Sequence, residues 1–163
     1  MNISHDIINQ PTTDENECAC SGSVPDKTGF SIPADVTPEQ LRELFSGDLF
    51  ATKRVGCVPV DGGKGYGVAE LEITDTHRNA LGNVMGGAIF TLCDFALAIA
   101  SNVGECPTIS IQSSISYLRT THGNKLTATC TCDKSGRHVA FYTVRVVDDL
   151  DVEVAMMTVT AYR

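Results

Sequence analysis

NALGNVMGGAIFTLCDFALAIASN, residues 79–102, is the stretch that decides how the chain is read. From Val84 to Ala100 it is almost wholly apolar and carries one charge, Asp94. A membrane span needs ~20 apolar residues without such a charge, and this run is shorter and opens on Gly86-Gly87. A buried helix over 86–102 is therefore expected, apolar on nearly every side and so enclosed by the rest of the protein. A carboxylate in such a helix must be neutralised, paired or used, because burial disfavours its charged form. Carboxylates perturbed in this way concentrate at functional sites. The paired glycines let backbone approach a ligand with no side chain between them.

Working outward, strands flank this helix. Upstream, Thr37-Pro38-Glu39-Gln40 has the form of a capping box with proline at the first helical position, predicting a short helix over 38–46 that stops at Gly47. A strand over 53–60 and another over 66–74 are separated by Gly62-Gly63-Lys64-Gly65, a hairpin signal. That turn lacks the G-x-x-x-x-G-K-[ST] spacing of a phosphate-binding loop. Downstream, four strands are predicted over 108–119, 125–133, 137–147 and 152–162. In the first, Ile109, Ile111, Ile115 and Tyr117 share one face, with Ser110, Gln112, Ser114 and Ser116 on the other. Short connections at 134–136 and 148–151 read as hairpin loops. Six strands and one hydrophobic helix imply an α+β domain over 36–163, its antiparallel sheet curved around the helix. Residues 1–35, rich in Asn, Thr, Ser, Asp and Pro, read as a flexible or surface-lying leader.

Composition narrows the function classes. The chain has 163 residues, enough for one domain with a real core. Its net charge of −8 argues against sequence-independent nucleic-acid binding, which needs a basic footprint. An anionic small ligand would need a local basic cluster. No signal-peptide pattern opens the sequence, and seven cysteines, an odd number, point to free thiols in a reducing, cytoplasmic compartment. The C-x-C pairs Cys18/Cys20 and Cys130/Cys132 lack a partner motif at zinc-ligand spacing, so no metal is expected. Cys130 and Cys132 fall in phase with Leu126 and Ala128, the apolar face of a strand.

The residues Asn79, Gly82, Met85-Gly86-Gly87, Leu92 and Asp94 stand at the spacing N-x-x-G-x-x-H-G-G-x-x-x-x-L-x-D. In this they resemble the hotdog-fold thioesterases of the PaaI-like type, which hydrolyse acyl-coenzyme A thioesters. The resemblance extends through Tyr117-Leu118-Arg119, Gly136-Arg137 and the last two strands, covering roughly 38–163. Met85 departs from it, standing where the family carries histidine; methionine neither titrates nor hydrogen-bonds as imidazole does.

The resemblance implies a site. Gly86 would offer its N–H to the thioester carbonyl, a position that unpaired amides and the helix dipole support. Asp94 would act as general base on water or as direct nucleophile. Asn79 would hold the water or the carbonyl, and Ser110 would orient the water or Asp94. Met85 and Gly87 would border the substrate. Arg119, Ser135, Gly136, Arg137 and His138, with Lys134 nearby, would receive coenzyme A, which is part of the substrate, so no separate cofactor is expected. Gly86 and Asp94 are eight residues apart on one helix, about 12 Å along its axis. They cannot both touch one carbonyl in one chain, so a dimer or dimer of dimers with Asp94 reaching in from the neighbour is expected. No nucleic-acid or membrane partner is expected. Two other readings compete: a non-catalytic acyl-CoA binding or sensing protein on the same fold, and a hydratase or dehydratase. The latter pairs histidine with a carboxylate, and no histidine lies in the helix.

Overall fold

The central helix forms over the residues expected, α2, Gly86–Asn102, in a computed structural model that describes residues 32–163. Most of the expected leader, with Cys18 and Cys20, lies outside the described residues. Ile32 is buried and forms a parallel bridge with Val103, so contacts with the core begin ahead of residue 36.

Helix α1, Pro38–Leu44, starts on the predicted capping box: the Gln40 amide donates to Thr37 Oγ1 and the Thr37 amide to Gln40 Oε1. A 3-10 turn, Phe45–Gly47, and a π-helical segment, Phe50–Val55, follow where a strand from residue 53 was expected. The Val55 carbonyl is taken by the His77 ring rather than by a sheet partner, and Gly56, at φ 83°, ends the segment in the left-handed region. Strand β1 therefore begins only at Cys57.

The six strands are β1 Cys57–Gly63, β2 Tyr66–Glu72, β3 Ile109–Tyr117, β4 Lys125–Ser135, β5 Val139–Asp148 and β6 Glu153–Tyr162. They form one antiparallel sheet in the order β1-β2-β4-β5-β6-β3. The β1–β2 hairpin is present, turning at Lys64-Gly65 with Gly62 and Gly63 still in the strand. After β2 the chain crosses the sheet through α2, so β3 joins at the far edge beside β6.

The helix rests on the sheet almost backbone to backbone. A Cβ on Gly67 of β2 would lie 2.6 Å from the Ala96 carbonyl oxygen and 2.7 Å from the Ala100 nitrogen. Ile89, Leu92, Cys93, Ala96, Ile99 and Ala100 are buried against alternating strand residues such as Leu126, Ala128, Cys130, Val144 and Met157. Full enclosure of the helix, however, is corrected. The sheet is open, with β1 and β3 as its two edges, and Gly87, Phe90 and Asp94, spaced three and four residues apart, form an exposed stripe on the helix. The expected apolar face of β3 is corrected too. A register shift between Ser110 and Gln112 breaks the alternation, and at this edge Ile109 and Ile111 are 66% and 58% exposed.

Cys57, Cys93 and Cys130 are buried free thiols, and Cys132 is free and half-buried. Burial pushes the Cys57 and Cys93 thiols up to about 12 and raises Cys130 as well. Cys106 is disulfide-bonded, which corrects the expectation of free thiols throughout. At the end of the sheet, Arg163 pairs with Glu105 at 3.4 Å, the two side chains only 3% and 4% exposed. Arg163 also donates to Ser135 Oγ and Tyr142 Oη. No helix among the described residues is long and apolar enough to cross a membrane.

Candidate active site

The loop that delivers the chain into α2 is knitted to itself. His77 Nδ1 accepts from the Thr74 amide at 3.0 Å, which leaves the proton on Nε2 to be donated to the Val55 carbonyl at 2.8 Å. The His77 carbonyl in turn accepts from the Met85 amide at 2.8 Å. His77 is thereby structural, tying the π-helical segment to the start of α2. Asn79 Oδ1 accepts from the Leu81 and Asn83 amides at 2.9 and 3.1 Å. With its oxygen engaged twice, Asn79 has only the Nδ2 donors left for a ligand.

Met85 occupies the N-cap of α2 without a side-chain hydrogen bond and is half-exposed. The Gly86 and Gly87 amides have no hydrogen-bond partner among the described residues. They are the orphan donors of a helix start, where the dipole favours negative charge. Gly86 borders a cleft of about 430 Å³, lined also by Asn83, Val84, Ile89, Tyr117, Leu118, Arg119, Thr120 and Thr121. The Tyr117 hydroxyl donates to the Gly86 carbonyl at 2.9 Å.

Asp94 is exposed on the same helix, and no hydrogen bond or ion pair joins it to another described residue. Its carboxyl is raised above the ordinary range by partial desolvation and then by the Asp48 charge. The Phe45 ring meets Phe95 edge-on at 5.8 Å, which sets the segment after α1 against this part of the helix. Leu49 and Phe50 on that segment are 62% and 65% exposed.

The chain thus brings together Gly86 and Arg119, with Asn79 bonded to Asn83 at the rim. It does not bring Asp94 or Ser110 into that cleft. Ser110 is exposed near the start of β3, opposite Ala161, and Tyr117 at its other end stands opposite Ala155. The turn at 135–138 lies at the Ser110 end, since Tyr162 is opposite both Ile109 and Val139. That end is ~25 Å from Tyr117 at strand rise. The turn is rigid: the Gly136 amide donates to the Val139 carbonyl, His138 stacks on Tyr162, and Arg137 is exposed. A Cβ on Gly136 would sit 2.7 Å from the Val139 oxygen. Sequence reasoning missed Tyr117 as a neighbour of Gly86, since 31 residues separate them. It also missed the approach of the Asp48 charge to Asp94, for which no local signal exists.

A curved antiparallel sheet cradling one helix whose N-terminal amides stand open defines the hotdog fold, PaaI-like in type. The sequence profile of the thioesterase superfamily matches residues 81–155. It is 26% identical over 126 residues to the acyl-coenzyme A thioesterase PaaI of Escherichia coli, covering 77% of this chain and 89% of that protein. The structure of E. coli PaaI superposes with a TM-score of 0.71 at 23% identity, over 77% of this chain and 92% of that one. The "Putative esterase" of Archaeoglobus fulgidus is 33% identical over 101 residues; these are 61% of this chain but only 66% of that protein, just under two thirds. The crystal structure of smu.793 from Streptococcus mutans, bound to acetyl CoA, is 32% identical with a TM-score of 0.61, over 64% of this chain and 85% of that one.

Proposed function

We propose that the chain hydrolyses an acyl-coenzyme A thioester to a free carboxylic acid and coenzyme A, at a site completed by two copies of itself. The observation that carries this reading is the pair of open amides at the start of α2 with a desolvated carboxylate ~12 Å further along the same helix. The first can hold a developing oxyanion and the second can activate water, but not on one carbonyl within one chain. The exposed β3 edge supplies a way to join two copies. Antiparallel pairing of β3 with itself would set the Tyr117 end of one copy beside the Ser110 end of the other. Ser110 and the turn at 135–138 of that copy then approach the cleft holding Gly86 and Arg119.

In this arrangement Asn79 Nδ2 and the Gly86 amide grip the thioester oxygen. Asp94 of the other copy takes a proton from water as the water oxygen bonds to the carbonyl carbon. The oxyanion collapses, the C–S bond breaks, and the sulfur leaves with a proton as the coenzyme A thiol. A raised carboxyl makes Asp94 the stronger base. Arg119 and the turn at 135–138 supply the local basic cluster that an acidic chain needs for the coenzyme phosphates, and no further cofactor takes part. The exposed Leu49 and Phe50, which follow Asp48 in the chain, would give the acyl group an apolar wall. The acetyl CoA bound to the S. mutans relative supports this ligand class.

Thiol release across a panel of acyl-CoAs tests the reading. Asp94→Asn and Asn79→Ala should each leave at most about one hundredth of the activity in a folded protein. Mixing the two inactive variants should restore about a quarter of wild-type activity, because half the dimers then hold one intact site. Near wild-type turnover by Asp94→Asn alone would sink the assignment. Met85, in place of an imidazole, favours one second reading, a protein that binds acyl-CoA without cleaving it. That reading predicts tight binding with no thiol release.

A further inference from the structure

We infer that Tyr117 is the positioning residue for the open amides at the start of α2, and that its ring is why residue 86 must be glycine. This rests on the thioesterase reading only for its catalytic consequence; the coupling between the two residues stands on geometry.

Three observations converge. The Tyr117 hydroxyl donates to the Gly86 carbonyl at 2.9 Å, although the phenol is 51% exposed and has water available to it. A Cβ at residue 86 would lie 2.8 Å from both Cζ and Oη of Tyr117, so the ring occupies the space of any side chain there. Finally, Met85 gives the helix start no side-chain cap. Thr91 Oγ1 holds the Gly87 carbonyl from within the helix, and the bond from Tyr117 is the one that ties the first turn to the sheet. It acts on the peptide whose N–H is that of Gly87, and it fixes the plane adjoining the Gly86 N–H.

Tyr117 can do this because the sheet holds it. It is the last residue of β3, opposite Ala155, and the next two amides, of Leu118 and Arg119, both donate to the Val154 carbonyl at 2.8 and 3.2 Å. The phenol is therefore a fixed point on the sheet, and the helix start is registered against it. Desolvation, then the neighbouring Cys93, raises its titration further from neutrality, so it stays a donor. Amides held in place before charge develops lose nothing to reorganisation as it forms.

Four proteins test this: Tyr117→Phe, Tyr117→Ala, Gly86→Ala and the double variant Gly86→Ala/Tyr117→Ala. Tyr117→Phe should lower kcat about 3- to 10-fold, the scale of one hydrogen bond, with KM for acyl-CoA and the melting temperature nearly unchanged. It should also shift the amide NMR signals of Gly86 and Gly87. Gly86→Ala should cost ~100-fold or more in kcat in the wild-type background. In the Tyr117→Ala background it should cost little further, since the clash is gone. Additive losses in that cycle, or a Tyr117→Phe protein with unchanged kcat and unchanged Gly86 and Gly87 signals, would overturn the inference. If the wild-type chain releases no thiol, the thioesterase reading fails by itself. The amide signals, and a melting-temperature cycle on the same four proteins, then still decide the positioning role.

Discussion

Asp94 and Asn79 show how single side chains divide the work of folding from that of chemistry. Asp94 makes no stabilising bond among the described residues, and its surroundings disfavour its charge. The native state therefore holds that proton more tightly than the unfolded chain does. The residue costs stability as pH rises from the ordinary carboxylate range through its raised folded value. Asp94→Asn should accordingly melt no lower than wild type at pH 7, and relatively higher there than near pH 4, while losing activity; thermal melts at both pH values check the sign. The same shift places the acid limb of the kcat profile above the ordinary carboxylate range, with activity rising through it, and a pH–rate profile locates it. Asn79→Asp separates the other pair of roles. A carboxylate still accepts from the Leu81 and Asn83 amides but has no donor for a substrate oxygen. The variant should fold normally and lose at least about tenfold in thiol release. The spacing of Asn79, Gly86 and Asp94 was legible in the sequence because one loop and one helix carry all three. Tyr117 was not, because only the sheet register brings it to Gly86.

At the scale of elements, the contact that matters most is α2 on β2. Gly67 lets the helix backbone sit against the strand, and any side chain there must push the two apart. Gly67→Ala should cost about 1–3 kcal/mol in denaturant unfolding, the usual range for overpacking. Glu105→Ala should cost about 1.5–3 kcal/mol in denaturant unfolding, because it removes a buried, charge-assisted contact to Arg163. Periodicity and punctuation disclosed α2, the capping box of α1, the hairpins and most strand bounds. They failed where a tertiary contact overrode the local pattern. The His77 ring took the Val55 carbonyl and delayed β1, and a bulge in β3 broke the alternation where Ile109 and Ile111 are exposed.

For the whole molecule, the open β3 edge is the feature a single chain leaves unresolved. A strand with two isoleucines more than half exposed and a free row of backbone donors and acceptors is a pairing surface. Ile111→Glu changes no buried contact within the chain. It should leave circular dichroism unchanged, convert the protein to monomer in light scattering, and abolish thiol release by separating Asp94 from Gly86. The exposed stripe on α2 belongs to the same scale. An apolar sequence predicted a helix enclosed by its own chain, and one sheet encloses only part of it.

The buried cysteines give the molecule an internal clock. Cys93 sits one residue before Asp94 on the helix and Cys130 in the middle of the sheet, each fully covered and its thiol pushed far from ionisation. Neither can meet an alkylating reagent without an opening of the structure around it. The rate at which each is labelled therefore reports how often that part of the fold opens. Equal rates would mean that helix and sheet come apart together, and a faster Cys93 would mean that the helix carrying Asp94 breathes on its own.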